Sequence, residues 1–279
     1  MDELYRQRAA PAGSARYWSL RFTSANAREA MLGIYALTAE WRALYAGDVE
    51  TTVATTKLAW WADEIARIAG DRAVHPIGRH LRSLPGAEHV DFTPLSAALE
   101  AAALQMGGVP VERGAELDAH AAALIGTPLA VGAELVAAAT HDPGPWRAQL
   151  RAATAAFGAA DYRTRALRDY AREARRGRML LPIDELLAAG IDNADLAAAE
   201  PPLRLRAYLE QLRRVAAERY RAVPAALPVA LHSSQRGLLV LADLGFAHLD
   251  SGHPGDAPEL RLRDMFRAWR TARRALSAR

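Results

Sequence analysis

Apolar residues recur at spacings of three and four along nearly the whole chain, and no stretch of useful length alternates with a period of two. That pattern admits helices packed on helices and leaves no material for a sheet. After Ser24, a suitable N-cap, the residues Ala27, Met31, Ile34, Tyr35, Trp41 and Tyr45 fall on one stripe, and Gly47 marks its end. A second helix is expected over about residues 52–68, with Leu58, Trp61, Ile65 and Ile68 inward.

The following segment, 70–92, is interrupted by Pro76, Pro85 and Gly86 and has room for one short helix. Asp91 or Thr93 is expected to cap the next helix, which Gly107-Gly108 closes. A long helix from Val111 should bend at Gly126-Thr127-Pro128 and continue to Ala139, because proline removes a backbone donor and clashes one turn back. The turn His141-Asp142-Pro143-Gly144-Pro145 precedes a long helix over about 146–175. Pro182 opens a short helix, and further helices are expected over about 203–223, 228–246 and 260–276. With no repeat and no clear linker, residues 1–279 read as one all-α domain, with the first ~13 residues and the loop 251–258 expected to be flexible.

Composition agrees with a helical core. Hydrophobic residues make up 51% of the 279, enough to fill one. The most apolar run, 119–139, carries His120 and Glu134 and is broken by its proline, so it reads as a buried helix rather than a membrane span. Absence of cysteine excludes disulfides, zinc–thiolate centres and Cys nucleophiles. Arginine is the dominant cation and Lys57 the single lysine, a usage typical of high-GC bacterial genomes. The net charge is only +3 and basic residues are interleaved with acids, so no nucleic-acid partner is expected. Met1-Asp2-Glu3-Leu4 has no apolar signal-like core, and a cytoplasmic location follows as the expectation.

Three blocks carry more specific information. The first is Tyr17-Trp18-Ser19-Leu20-Arg21 followed by Arg28-Glu29-Ala30-Met31-Leu32-Gly33-Ile34-Tyr35. The second is Lys57-Leu58-Ala59-Trp60-Trp61-Ala62-Asp63-Glu64-Ile65 with His75-Pro76-Ile77. The third runs from Phe157-Gly158-Ala159-Ala160-Asp161-Tyr162-Arg163-Thr164-Arg165-Ala166-Leu167-Arg168-Asp169 into Ala174-Arg175-Arg176-Gly177-Arg178-Met179-Leu180-Leu181-Pro182. In order and spacing these blocks resemble the squalene/phytoene synthase superfamily over roughly residues 14–190, and the remainder matches in helical character alone.

The resemblance implies an isoprenoid-synthase-type helical bundle around a central cavity. In that family two Asp-rich helices face each other and hold Mg²⁺, which carries the charge of a departing diphosphate. Carboxylates four apart suit this because they share one helix face. Where the first motif should stand, this chain has Arg42, Ala43 and Ala46. Glu40 points away from that face, and Asp48 follows the expected helix stop. The second motif survives as Asp169 and Glu173, the candidate catalytic and metal-binding pair, while the family's Gln and Asn are replaced by Tyr162 and Arg165.

Arginines stand at 163, 165, 168, 172, 175, 176 and 178. They fit a solvated helix face laced with salt bridges, and they equally fit an anion site, since arginine forks match phosphate oxygens. The resemblance favours Arg42, Arg165, Arg168 and Arg178 as diphosphate-binding residues, with Tyr35 and Tyr162 on the cavity wall. Trp18, Trp60 and Trp61 read as core or wall, and the histidines show no paired metal spacing, with His75 and His80, like His248 and His253, five apart.

Two functions follow. One is a binding or assembly protein that needs no cofactor and takes an isoprenoid or anionic lipid. The segment Ala36-Leu37-Thr38-Ala39-Glu40 resembles the family's mitochondrial respiratory complex I assembly factor, which implies a protein or membrane-surface partner; the arginine helix, by its charge, is the candidate for peripheral contact with anionic lipid heads. The other is a Mg²⁺-dependent prenyltransferase that condenses two isoprenoid diphosphates, using Asp169 and Glu173.

Overall fold

A computed structural model describes residues 3–46, 49–140, 142–251 and 260–278, with no strand among them. Gly47, Asp48, His141, His253 and nearly all of the 251–258 loop, each part of a sequence expectation, lie outside the described residues. The helices in chain order are α1 (Glu3–Ala9), α2 (Ala15–Arg21), α3 (Ala25–Tyr45), α4 (Thr51–Ala69), α5 (Pro76–Arg82), α6 (Leu95–Met106), α7 (Gly114–Ala121) and α8 (Thr127–Ala138). They continue with α9 (Arg147–Arg175), α10 (Ile183–Ala188), α11 (Asn193–Ala197), α12 (Leu203–Ala226), α13 (Val229–His232), α14 (Arg236–Ser251) and α15 (Leu262–Ser277). Ser24 caps α3 as expected, its hydroxyl accepting from the Ala27 N–H at 3.3 Å.

Four details differ from the sequence expectation. The N-terminal segment, to which the apolar pattern assigns no helix, forms α1 and packs on α3: Ala9 is fully buried, and Arg6 forks onto Glu29 at 2.9 and 3.0 Å. Helix α7 begins at Gly114 rather than Val111. The Val111 and Glu112 carbonyls accept from Ile183 and Asp184 at 3.1 and 2.9 Å, so this backbone pairs with the chain after α9. The bend near Pro128 is a π-turn over Ala122–Gly126, in which the Thr127 hydroxyl donates to the Ala122 carbonyl at 3.2 Å. Helix α6 starts without a side-chain cap, because the Asp91 carboxylate turns onto Thr93 instead.

The segment Gly114–Ala138 is long and apolar enough to cross a bilayer, but 78% of its most apolar window is buried in the protein. It runs through the core between α3 and α9. Its buried acid, Glu134, is held by Arg147 and Arg151 at 3.1 and 3.4 Å. Two glycines set how closely α9 approaches it. A Cβ on Gly158 would lie 2.8 Å from the Ala121 carbonyl and 2.9 Å from the Gly126 nitrogen, and one on Gly126 would lie 3.0 Å from the Ala155 Cα. Backbone meets backbone at this crossing, which draws the π-turn and the middle of α9 onto one wall of a cavity.

The second sequence block is a folding device. The buried Glu64 carboxylate accepts from the Val74 and His75 N–H groups at 2.9 and 2.8 Å and so ties the start of α5 to α4. His75 then caps α5, its ring nitrogen accepting from Ile77 at 3.2 Å. Trp18 and Trp61 are core residues, whereas Trp60 is partly exposed on an open groove beside Lys57.

Candidate functional site

Two adjoining cavities lie between α3, the π-turn and α9. The inner one, about 80 Å³, is closed by Leu124, Leu129, Phe157, Tyr220 and Leu241 and carries Tyr35, Asp161, Arg165 and His248 on its wall. The outer one, about 120 Å³, is lined by Gln105, Tyr162, Asp169, Arg172, Glu173 and Arg178. Arg42, Arg165 and Arg168 border both.

Helix α9 supplies most of the charge. Phe157, Asp161, Arg165, Asp169 and Glu173 are spaced by four, so each neighbours the next while the row turns slowly around α9 from the inner cavity to the outer one. Arg168 forks onto its chain neighbour Asp169, with Nε donating to Oδ1 at 3.0 Å and Nη2 to Oδ2 at 2.8 Å. Arg172 bridges the pair, Nη1 lying 3.1 Å from Asp169 Oδ1 and Nε donating to Glu173 Oε1 at 3.0 Å. Burial pushes the Asp169 carboxyl upward, but the Arg168 fork, then Arg172 and Arg42, outweigh it and hold the group below the ordinary aspartate range. Both carboxylates are buried and line the outer cavity rather than an outer helix face.

Arg178 reaches the site because of how α9 ends. Gly177 has φ +73°, the Arg178 N–H donates to the Glu173 carbonyl at 2.9 Å, and the Gly177 N–H donates to the Ala174 carbonyl at 3.0 Å. This is a Schellman ending, which needs glycine at the left-handed position. It folds the chain back so that Arg178 Nη2 lies 2.5 Å from Glu173 Oε2 and Nη1 donates to the Tyr45 carbonyl of α3 at 3.4 Å.

The arginine run therefore divides. Arg165 pairs with Asp161 at 2.8 Å, while Arg163 turns away to Asp118 of α7, which also takes Arg219 at 2.7 Å. Arg175 and Arg176 are exposed. Tyr35 is fully buried on the inner wall, its hydroxyl 3.1 Å from the Ser19 hydroxyl, and its phenol is raised chiefly by burial. Tyr162 donates to Gln105 Oε1 at 3.2 Å on the outer wall, and burial pushes its phenol up to about 12.

Across from α9, the end of α3 presents Arg42 to both cavities and Ala46 to the outer one; Ala43 and Glu40 face the open groove, Glu40 lying 3.7 Å from Arg8 of α1. Sequence reasoning missed Asp161, although its place eight residues before Asp169 and four before Arg165 was a usable signal. It also missed Arg16, whose guanidinium lies 5.0 Å over the Tyr35 ring; no local pattern marks a residue that α2 alone brings there.

The model of the squalene/phytoene synthase family matches residues 9–265. The chain belongs to that family. A dehydrosqualene synthase solved with a ligand superposes with a TM-score of 0.71 at 14% identity, over 94% of this chain and 90% of its own. The squalene synthase HpnC from Alicyclobacillus acidocaldarius gives 0.64 at 18% identity, over 84% and 86%. At those identities the likeness establishes the all-α fold. No curated protein matches the sequence.

Squalene/phytoene synthases normally depend on Mg²⁺, and this member's residues do not fit such a cluster. Among the described residues no three His, Asp, Glu or Cys side chains come together to hold an ion. Mg²⁺ needs oxygen ligands in near-octahedral geometry. Here Asp169 and Glu173 already meet arginines, and the facing helix offers Arg42 in place of a carboxylate.

Proposed function

We propose that this squalene/phytoene synthase family member binds a phosphate-bearing lipid of the isoprenoid class through arginines, in place of Mg²⁺, and does not ionise it. The observation that carries this reading is Arg42, which faces the cavity where a first-motif carboxylate is expected, opposite Arg165 and Arg168. Arginine forks suit phosphate oxygens bidentately. Fixed cations that hold substrate and transition state alike favour binding over turnover. The apolar inner wall suits a prenyl tail. A cavity of about 150 Å³ takes a benzene ring, so a long tail entering the smaller chamber has to part the Phe157 and Tyr220 rings, 5.8 Å apart. With no turnover, the protein would act by carrying or presenting its ligand, the role implied by the likeness of residues 36–40 to the complex I assembly factor.

The test is to incubate the protein with farnesyl and geranylgeranyl diphosphate in EDTA and in Mg²⁺. Ligand binding is read by thermal shift, diphosphate release and lipid products by assay, with an active family enzyme alongside. The expected result is stabilisation in EDTA, lost in Arg42→Ala/Arg165→Ala, with no diphosphate released. Mg²⁺-dependent release with a C30 or C40 product overturns the reading and makes the protein a prenyltransferase working through Asp169 and Glu173.

A further inference from the structure

The C-terminal helix α15 carries two opposed faces. One packs on α14 and α2 through Ala268, Ala272 and Ala275. Two polar ties fix it there: Arg267 and the Thr271 hydroxyl each donate to Asp243 at 2.7 Å, and the buried Asp264 lies 3.3 Å from His248 Nε2. The orientation of α15 is thus set by its inner side.

Its outer face is large and apolar. Leu262, Phe266, Trp269 and Leu276 are exposed by 70, 60, 45 and 54%. Successive steps of four, three and seven residues keep all four within one stripe of a helix. Soluble proteins seldom present a contiguous run of such side chains to water without a use for it. Arg263, Arg270 and Arg274 are exposed along one border of the stripe, and Arg273, four residues after Trp269, stands within it with its guanidinium 5.0 Å over the Trp269 ring. The one acid within 262–277, Asp264, is turned inward. A helix with large apolar residues on one face and arginines beside them lies in the plane of a membrane interface, its long cationic side chains reaching up to the anionic headgroups.

We infer that α15 docks this protein on an anionic lipid surface, with Leu262, Phe266, Trp269 and Leu276 entering the acyl boundary and the flanking arginines meeting headgroup phosphates. The charge favours this occupant over a second copy, since a two-fold contact through the same stripe would bring two sets of arginines together. It also places membrane contact on α15 rather than on α9, most of whose arginines meet acids of the protein itself. The inference is independent of the cavity and of what fills it.

The experiment is co-sedimentation of the full chain with vesicles of phosphatidylcholine alone and with a quarter phosphatidylglycerol, both free of prenyl lipid, across a salt series. Sedimentation velocity gives the oligomeric state in the absence of vesicles. The wild type should bind the anionic vesicles, and more weakly as salt rises. Phe266→Ser/Trp269→Ser should abolish binding with an unchanged circular dichroism spectrum and melting temperature, because both side chains are exposed. Arg270→Gln/Arg273→Gln/Arg274→Gln should weaken binding about tenfold or more while leaving the helix intact. Equal partitioning of the wild type and the Phe266/Trp269 variant, or no binding to anionic vesicles, overturns the inference. So does a wild-type dimer that the Phe266/Trp269 variant dissociates, which would give the face to a second copy.

Discussion

Arg178 Nη2 lies 2.5 Å from Glu173 Oε2, and the two meet across a helix terminus that only a left-handed Gly177 permits. The charge arrangement at the mouth of the outer cavity thus depends on one backbone angle. Gly177→Ala should cost about 1–2 kcal/mol by forcing an L-residue into that region. Nothing crowds a Cβ there, so the penalty is conformational rather than steric. Urea unfolding measures the loss. Anion affinity should fall with it, since Arg178 would leave Glu173 and Tyr45.

Asp169→Asn removes the charge and one of the two acceptor oxygens that serve Arg168 and Arg172 in a buried setting, and should destabilise the protein by about 1–3 kcal/mol at neutral pH. The folded-state pKa of Asp169 lies below its ordinary value of 3.8, so its stabilising contribution is full above that value. The contribution is lost as the pH falls through the lower, folded value. The stability difference between wild type and variant should therefore be flat from neutrality to about pH 5 and shrink below it, as followed by urea melts at stepped pH.

Arg42→Asp/Ala43→Asp/Ala46→Asp restores the family's carboxylates on α3. Saturable Mn²⁺ binding, read by electron paramagnetic resonance, should appear in this variant and be absent from the wild type. A wild-type protein that binds Mn²⁺ as tightly as the variant would contradict the account of Asp169 and Glu173 as arginine-bound carboxylates.

Gly158→Ala places a methyl group within 2.8 Å of the Ala121 carbonyl, against backbone that cannot rotate away. Separating α9 from the π-turn should cost about 1–3 kcal/mol, measurable as a lower urea midpoint. The same change at Gly108, whose nearest neighbour is an Arg178 side-chain carbon at 3.9 Å, carries no such clash, only the strain of its positive φ.

Much of the helical architecture was legible because its causes are local. Ser24 caps α3 through a hydroxyl three residues away from its donor, and the apolar stripe of α3 follows from the period of the helix. The misread boundaries are those where a distant segment intervenes. Val111 looks helical by composition, yet its carbonyl is taken by Ile183. The first residues carry no helix signal of their own, yet α1 forms there with Arg6 on Glu29 of α3.

The same division runs through the site. The identities of the charged groups, the loss of the α3 carboxylates and the four-residue ladder from Asp161 to Glu173 are properties of the sequence, because a helix turns at a fixed rate. The sequence also contains the glycine that ends α9 and the amphipathic pattern of α15. Whether each arginine serves a carboxylate, a cavity or the solvent was decided by tertiary structure. Arg163 meets Asp118 across 45 positions and Arg178 meets Tyr45 across 133. No local pattern encodes such pairs, because their distances depend on how α3, α7 and α9 pack.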